Sequence, residues 1–391
     1  MNRTWNQYVV KQENKTLVLS TIIDQTPISR ASVAQVTGLN KGTVSSLVSE
    51  LIDEELVEES GPGESNGGRR PVMLLFNGKA GYSLAIDLGV DYLLGAIIDL
   101  NGNIIYEEKR QLQSTDFDVV FPFLTRFINH LMEQVPKSRY GIIGIGVGVP
   151  AVISHQGEIL LAPNLNWKKI KLKEQLEQQF NIPIYIENEA NAGAYGEMRY
   201  GFEQMPKHMV YASIGIGIGV GMILDGQLYN GLNGFAGEAG HMTVVKDGRT
   251  CRCGNLGCWE RYASEQALID EAVDRQLIEH NQVEPFQKLI ELANQQNQAV
   301  INLFEEIGTY IGIGLTNTIN IFNPEHVVIG NQLIDAEQWI SPAIGAYINK
   351  HAIGFHQNDL KISFAKLQAY STVRGMAAFT IEGFLLKQRN A

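Results

Sequence analysis

The sequence of 391 residues predicts an α/β protein in which a small, mainly helical module precedes two larger α/β lobes. Three observations favour this organisation. Short amphipathic helices dominate residues 1–80, strands and helices then alternate twice along residues 81–391, and no polar linker divides those two halves. The first lobe is therefore expected to span about residues 81–195 and the second about residues 196–391.

The composition indicates a soluble protein of the cytoplasm. All three cysteines lie within residues 251–258, which suits a reducing compartment. The N-terminus has no apolar signal region, and the longest apolar stretches, residues 141–153 and 210–224, are glycine-rich and shorter than a membrane span. The net charge of −11 opposes a general attraction to nucleic acid, so DNA binding would require a local patch.

Residues 28–51 show the pattern of a helix-turn-helix. Ser29 can cap a first short helix, and Gly38 can end that helix with a left-handed turn. Asn40 can cap a second helix, whose apolar stripe consists of Val44, Leu47, Val48 and Leu51. Polar side chains on the opposite face of the second helix would suit contacts with phosphates and base edges in a major groove.

Two predicted strands, residues 56–59 and 72–76, flank a loop that contains Gly67-Gly68-Arg69-Arg70-Pro71. This arrangement adds a wing to the helix-turn-helix, and arginines at its tip suit a narrow minor groove or the DNA backbone. The DNA contacts predicted for the winged helix-turn-helix are Arg30, Lys41, Thr43, Ser45, Ser46, Arg69 and Arg70. The alternative is a winged helix used for protein contacts.

The N-terminal module is not basic overall, because residues 1–78 hold seven Lys/Arg and nine Asp/Glu. Six of the nine acids lie between Glu50 and Glu59, and all seven basic residues lie outside that block. A one-sided charge distribution is therefore expected, with the basic side available to DNA.

Residues 238–260 hold every cysteine of the chain and predict a metal site. Three cysteines within eight residues, ten residues after a histidine, suit a closed tetrahedral zinc site, with ligands His241, Cys251, Cys253 and Cys258. Glu238 and Glu260 are poor zinc ligands beside three thiolates and are better explained as polar groups that the metal loop holds in place. The alternative is three unrelated reduced thiols and a core histidine.

The remaining sequence predicts two α/β lobes with a cleft between them. Residues 82–89, 93–100 and 104–109 read as strands, with Asn101-Gly102 as a tight turn. A helix follows over residues 117–131, and further buried strands are predicted at residues 142–149, 182–187 and 209–224. The break between the lobes is expected near residues 189–201.

From about residue 81 to the C-terminus, the order of these motifs resembles the ROK family, named for repressors, open reading frames and kinases. The most specific matches are Glu238-x-x-His241 with Cys251-x-Cys253-Gly254-x-x-Gly257-Cys258-x-Glu260, and Glu187-Asn188-Glu189-Ala190-Asn191. The helix-turn-helix and the Gly-Gly-Arg-Arg-Pro wing are similar to the repressor branch. The resemblance implies the actin/hexokinase-like, ribonuclease H-like fold and a sugar-binding domain.

The resemblance also implies roles for matching positions. The implied effector-binding residues are Asn164, Asn188, Glu189, Glu238, His241 and Glu260. His241 would bond a sugar hydroxyl with one ring nitrogen while the other binds zinc. Carboxylates and amides independently suit a polyol, because they donate and accept at several hydroxyls. By resemblance alone, d-xylose is the favoured effector, and a different sugar is the alternative.

The chain departs from the family's kinases at the catalytic and nucleotide-binding positions. Glu189 stands where a kinase carries the aspartate that deprotonates the sugar hydroxyl. Gly89-Val90-Asp91-Tyr92 replaces Gly-Gly-Thr-Lys, Ile216 replaces a threonine, and Gly330-Asn331 replaces a glycine pair. Phosphoryl transfer depends on positioning and charge neutralisation, so these changes predict a protein with no catalytic residue.

The favoured prediction is a DNA-binding repressor that a sugar releases from a palindromic operator, acting as a homodimer. Two alternatives remain open from the sequence. One is an active sugar kinase with an accessory DNA-binding domain, which requires Glu189 to serve as a base. The other is a structural or partner-binding protein that uses the zinc loop as a scaffold.

Overall fold

A computed structural model describes residues 7–62 and 71–388 of the chain. Its helices are α1 (Gln7–Gln25), α2 (Arg30–Thr37), α3 (Lys41–Asp53), α4 (Phe117–Glu133), α5 (Leu172–Gln179), α6 (Glu189–Gly196), α7 (Glu260–Ala263), α8 (Glu265–Asp274), α9 (Pro285–Asn294), α10 (Gln298–Phe322), α11 (Glu337–His351) and α12 (Ser371–Gln388). Its strands are β1 (Ile28–Ser29), β2 (Val57–Pro62), β3 (Val72–Phe76), β4 (Tyr82–Leu88), β5 (Tyr92–Asp99), β6 (Ile104–Gln111), β7 (Ile142–Val149), β8 (Val152–Ile153), β9 (Ile159–Ala162), β10 (Trp167–Ile170), β11 (Ile184–Asn188), β12 (Met209–Ile214), β13 (Ile218–Leu224), β14 (Gln227–Leu228), β15 (His326–Gly330) and β16 (Lys361–Phe364).

The N-terminal module is a winged helix built on the caps that the sequence predicts. Ser29 caps α2 by accepting from the Ser32 N–H, and Gly38 ends that helix in the left-handed region with φ of 71°. Asn40 caps α3 by accepting from the Thr43 N–H at 2.8 Å. The wing is a three-stranded antiparallel sheet in the order β1-β3-β2. The sequence analysis did not predict β1, which is only two residues long.

The first lobe contains a five-stranded sheet in the order β11-β7-β4-β5-β6. The strands β4, β7 and β11 run parallel, and β5 and β6 are antiparallel additions. Helices α4 and α5 cover one face, and their apolar residues share a core with β4, β7 and β11. A small sheet, β10-β9-β8, extends from this lobe beside the cleft.

The second lobe contains a five-stranded sheet in the order β14-β13-β12-β15-β16. Its largest core joins β12, β13 and β15 to apolar residues of the helices α7 to α11. Helix α6 follows β11 of the first sheet and packs against β12 and β13 of the second, so it connects the two lobes. The predicted α/β fold with two lobes is confirmed.

The predicted lobe boundaries need one correction, because the last helix does not belong to the second lobe. Helix α12 packs against β4 and β7 of the first sheet and along α6. Val373, Met376 and Phe384 are buried there in a core shared with the winged helix. The assignment of residues 196–391 to one lobe is therefore wrong for residues 371–388, since the apolar face of α12 completes the first lobe.

The winged helix is joined to the first lobe through buried contacts. One continuous core contains Leu47 of α3, Leu74 of β3, Ala85 of β4 and Phe384 of α12. Tyr140 lies at this junction, where its hydroxyl donates to the Glu54 carbonyl at 3.1 Å. Among the helices of residues 7–62 and 71–388, none has both the length and the apolarity needed to cross a membrane.

Candidate functional site

One cavity lies between the lobes and is lined by all six residues predicted to bind an effector. Each residue comes from a defined element. Asn164 lies in the turn between β9 and β10, Asn188 ends β11, and Glu189 begins α6. From the second lobe, Glu238 and His241 lie on one short 3-10 helix, Glu238–His241, and Glu260 begins α7. Residues far apart in sequence therefore meet in one polar cavity.

Asn188 is largely engaged by the protein itself. Its Oδ1 caps α6 by accepting from the N–H groups of Ala190 at 2.8 Å and Asn191 at 3.1 Å. Its Nδ2 donates to the Ala151 carbonyl at 3.0 Å. Because an amide nitrogen carries two hydrogens, one N–H remains for a ligand. Asn188 thus shapes the floor of the cavity as well as offering a single donor.

Glu189 is half-buried, and its carboxyl group has no cationic partner among the described residues. Its Oε1 accepts from the Ser213 hydroxyl at 3.2 Å, and its Oε2 has no hydrogen-bond partner in the described part of the chain. Burial, followed by the negative charges of Asp87 and Glu238, raises the pKa of Glu189 to about 8. At neutral pH this side chain is therefore a protonated acid that can donate a hydrogen bond into the cavity.

His241 and the three cysteines converge as the sequence predicts. Their ligand atoms all lie within 4.8 Å of one another, so this group could hold a metal ion. The Cys251 Sγ lies 3.6 Å from the His241 Nδ1, and the Sγ atoms of Cys253 and Cys258 lie 3.7 Å apart. Burial raises the pKa of the Cys251 and Cys258 thiols, so a bound cation would be needed to hold them as thiolates.

Two carboxylates flank the His241 ring on opposite sides. The Glu238 Oε2 lies 3.8 Å from Nε2, and the Glu260 Oε1 lies 3.5 Å from Nδ1. Burial raises the pKa of Glu238 above its ordinary value. A metal ion on the Nδ1 side would leave Nε2 directed toward Glu238 and the cavity. The metal cluster and the polar cavity therefore share one histidine ring.

The loop that carries the cysteines is anchored in the second-lobe core by Trp259. This side chain is completely buried, and its indole N–H donates to the Tyr310 carbonyl of α10 at 2.7 Å. A Cβ at Gly314 would lie 2.0 Å from the Trp259 ring, so α10 requires glycine there. The glycine-rich stretch of α10 thus serves close packing beneath the metal cluster.

A wider cleft of about 790 Å³ also lies between the lobes, and its lining includes Asp91, Tyr92 and Asn331, where the sequence departs from the kinase pattern. Its lining includes seven carboxylate residues and one lysine: Asp87, Asp91, Glu107, Glu108, Glu265, Glu284, Asp335 and Lys109. Burial raises the pKa of Asp87 to about 6 and that of Glu265 to about 7. Such a lining repels a polyphosphate rather than neutralising it.

Two of the positions that depart from the kinase pattern fill the floor of this cleft. The Tyr92 hydroxyl donates to the Asp87 Oδ2 at 2.7 Å, and a Cβ at Gly89 would lie 2.3 Å from the Tyr92 ring. Asn331 donates to the Ser213 hydroxyl at 3.0 Å, beside Gly215. These side chains therefore occupy the space next to the backbone at Gly89 and Gly215.

The residues of the winged helix that are predicted to contact DNA differ in exposure and in charge. Lys41, Ser45 and Ser46 are exposed on α3, and Thr43 is half-buried. Arg30 forms an ion pair with Glu59 of β2, with 2.6 Å between Nη1 and Oε1. Arg69 and Arg70 lie outside the described residues.

Half of the acids in the acidic block of the N-terminal module form ion pairs with nearby cations. Lys11 pairs with Glu50 at 2.8 Å, and Lys15 pairs with Glu54. Together with the pair between Arg30 and Glu59, these contacts neutralise three of the six acids. The exposed face of α3 is therefore expected to repel DNA less strongly than the net charge of the module suggests.

Fold and site together define a two-lobed sugar-kinase-like scaffold with a polar interlobe cavity, a His/Cys cluster that could hold a metal ion and an N-terminal winged helix. A family model described as the ROK family matches residues 83–382. The chain belongs to the ROK family. It is 42% identical over 380 residues to the xylose repressor of Bacillus spizizenii, an alignment that covers 97% of this chain and 98% of that protein.

More distant relatives include both regulators and kinases. The chain is 25% identical to the transcriptional dual regulator NagC of Escherichia coli, over 95% of this chain and 93% of that protein. A solved ROK family transcriptional regulator, a homologue of the E. coli MLC protein, has a TM-score of 0.79 and 27% identity, and the match covers 97% of this chain and 99% of that chain.

A ROK family glucokinase from Streptomyces griseus, solved with glucose and AMPPNP, has a TM-score of 0.70 and 26% identity. That match covers 99% of the kinase but only 76% of this chain, whereas the regulator extends over nearly all of it. The scaffold is therefore shared with kinases, and the full-length architecture is shared with the regulator.

Proposed function

We propose that this protein is a transcriptional repressor that d-xylose releases from its operator. One observation carries the proposal. The same chain has a winged helix and a polar cavity between its lobes, and its wider cleft is lined with acidic residues. A sugar binds among Asn164, Asn188, Glu189, Glu238, His241 and Glu260. The winged helix, residues 1–80, binds DNA, and residues 81–391 sense the sugar.

The choice of d-xylose rests on the relatives. The repressor of Bacillus spizizenii is named for xylose, and its 42% identity extends over almost the whole of both chains. The polar cavity supports a polyol ligand without selecting one, because its carboxylates and amides suit hydroxyls of many sugars. d-Xylose therefore has to be tested against other sugars as the effector.

The metal in this proposal is zinc. In a tetrahedral site with Zn–S distances of about 2.3 Å, two sulfur ligands lie roughly 3.8 Å apart. The 3.7 Å between the Sγ atoms of Cys253 and Cys258, and the 3.6 Å between Cys251 and the His241 ring, fit that requirement. When bound, zinc would fix the tautomer and orientation of His241, whose Nε2 then serves the sugar.

The chain has no kinase activity in this proposal. Burial and the neighbouring Asp87 raise the pKa of Glu189 to about 8, so at neutral pH most of this carboxyl group is protonated and can donate a hydrogen bond. The acidic cleft also lacks the cationic groups that phosphoryl transfer requires, since Lys109 is the single cationic residue among its described lining. The same carboxyl group is suited to donate to a sugar oxygen instead.

DNA binding is proposed to use a homodimer on a palindromic operator. Two copies of α3 would enter successive major grooves, with Lys41, Thr43, Ser45 and Ser46 facing the bases or phosphates. Arg69 and Arg70 would contact the minor groove or the backbone, and Arg30 would support the wing through Glu59. Sugar binding would close the lobes and favour a form whose winged helices no longer match the operator.

Fluorescence anisotropy tests this proposal directly. The full chain is titrated onto a labelled palindromic duplex from upstream of a xylose-utilisation operon, with no sugar, with d-xylose and with l-xylose as the matched control. We expect tight binding that d-xylose alone releases. Operator binding that neither sugar changes would contradict the assignment of d-xylose as the effector. A lack of specific DNA binding, together with ATP-dependent sugar phosphorylation, would contradict the repressor and favour the kinase.

A further inference from the structure

Arg252 lies between two of the clustered cysteines and reaches across the cleft to the other lobe. Its Nη1 donates to the Oδ1 of Asn164 at 3.1 Å. Cys251 and Cys253, its sequence neighbours, both belong to the group that could hold a metal ion. Asn164 comes from the small sheet of the first lobe, in the turn between β9 and β10. This hydrogen bond, the interlobe bridge, therefore connects the metal loop to the opposite wall of the sugar cavity.

The amide of Asn164 is held from its other side as well. A Cβ placed on Gly217 would lie 2.8 Å from the Asn164 Nδ2 and 3.0 Å from the Glu260 Oε2. The amide group therefore lies against the backbone of the second lobe, close to Glu260, which is predicted to bind the sugar. Arg252 is exposed and is not among the residues described as lining the cavity, whereas Asn164 does line it.

We propose that Arg252 is a positioning residue that orients Asn164 for the sugar and couples the metal loop to lobe closure; this inference rests on the proposed function. With Oδ1 accepting from the guanidinium, the Asn164 Nδ2 is fixed as the group that lies against Gly217 at the wall of the cavity. The amide then presents a donor to a sugar oxygen in a single orientation, which lowers the ordering cost of binding.

The geometry of the metal loop makes this arrangement rigid. Metal ligation of Cys251 and Cys253 would fix the backbone on both sides of Arg252. The Arg252 side chain would then extend from a defined backbone position. Asn164 sits in a tight turn in which Asn166 has φ of 58°, so the receiving side is also constrained. Two constrained backbones that face each other across a cleft suit a contact that holds the lobes in one relative position.

A double-mutant cycle on the metal-loaded full chain tests this inference. Calorimetric titration gives the Kd for d-xylose of the wild type, Arg252→Ala, Asn164→Ala and the double variant. We expect Arg252→Ala to weaken binding by about threefold to tenfold, the loss of one hydrogen bond. In the Asn164→Ala background the same change is expected to alter Kd by less than about twofold, because a positioning residue acts through its partner.

Two controls separate positioning from damage. Lys246→Ala removes one positive charge from the same loop and is expected to leave Kd unchanged. Metal content, measured by mass spectrometry, is expected to stay equal in all variants. An unchanged Kd in Arg252→Ala, additive effects in the cycle, or metal loss in Arg252→Ala would each overturn the inference. A wild type that binds no sugar would instead overturn the proposed function, and the inference with it.

Discussion

At the scale of single residues, Glu189 lines the interlobe cavity, and we propose that it binds sugar without acting as a catalytic base. The residue is half-buried near Asp87, and its Oε2 atom is buried with no partner among the described residues. A carboxylate in that position would have no nearby cation in the described part of the chain to offset the cost of its desolvation, so the protonated, neutral form is the stable one. The extra methylene relative to an aspartate lets Oε1 reach the Ser213 hydroxyl of the second lobe.

The protonation of Glu189 predicts a pH-dependent stability. Burial raises its pKa from an ordinary 4.5 to about 8 in the folded protein. The folded state therefore holds a proton that the unfolded state has released between those two pH values, and stability falls as pH rises through this window. We expect Glu189→Gln to remove this contribution and to gain about 4 kcal/mol over the wild type at pH 8, but less than about 1 kcal/mol at pH 5.

Urea unfolding at pH 5, 7 and 8 measures this effect, with Glu203→Gln as a control for loss of an exposed carboxylate. The quantity to compare is the difference in unfolding free energy between each variant and the wild type. A Glu189→Gln difference that stays constant across the three pH values would contradict a protonated Glu189.

His241 and Cys253 give a second prediction at this scale, because the metal cluster and the cavity share the histidine ring. His241→Ala and Cys253→Ala are each expected to lose the bound metal and the response to sugar, and to lower thermal stability. Metal analysis and thermal unfolding measure this, with Thr250→Ala in the same loop as the control. An intact sugar response in either metal-ligand variant would contradict the proposed link between zinc and the cavity.

At the scale of secondary-structure elements, α12 connects the interlobe cavity to the winged helix. The Thr372 hydroxyl, at its first turn, donates to the Glu189 carbonyl at 3.3 Å. Near its end, the Phe384 ring packs edge-on against Tyr140 with 4.9 Å between ring centroids. The Tyr140 hydroxyl donates to the carbonyl of Glu54, the residue that ends α3. A helix of 18 residues is about 27 Å long, enough to span the two sites.

This arrangement predicts that Tyr140 carries part of the response to sugar. Tyr140→Phe keeps the aromatic packing and removes the hydrogen bond to α3, so operator binding and d-xylose binding are each expected to persist. The ratio of operator affinities without and with d-xylose is expected to fall by about threefold to tenfold. Tyr106→Phe, which removes a hydroxyl contact to Glu108 within the first lobe, is the matched control. An unchanged ratio in Tyr140→Phe would exclude this route.

The wing gives a prediction that rests on the sequence alone, because Arg69 and Arg70 lie outside the described residues. Replacing both with alanine is expected to weaken binding to operator and unrelated duplexes alike, since backbone contacts carry no sequence information. The slope of log affinity against log salt concentration is expected to become shallower by roughly one to two units. Equal affinity and slope in the double variant would show that the wing does not contact DNA.

Local signals in the sequence predict much of this fold. The caps Ser29 and Asn40, the left-handed Gly38 and the cysteine spacing each depend on a few neighbouring residues, and the structure contains each feature. The place of α12 against the first sheet and the reach of Arg252 to Asn164 depend on contacts between distant segments. The one available signal for Arg252 was its position between two predicted metal ligands.

At the scale of the whole molecule, the account requires one equilibrium between a form that binds DNA and a form that binds sugar. The winged helix, the first lobe and α12 share one core, so a rearrangement of the lobes can reach the DNA-binding surface. A sugar that bound both forms equally would shift nothing, so d-xylose has to prefer the form that does not fit the operator. This preference is the central claim.

The most direct test measures the Kd of d-xylose calorimetrically for the free protein and for the protein saturated with operator duplex. Linkage requires that operator weaken d-xylose binding by the same factor by which d-xylose weakens operator binding. The account predicts a reduction of at least about tenfold, equal in the two experiments. An identical Kd with and without operator would contradict it, because the sugar would then bind without regulating DNA binding.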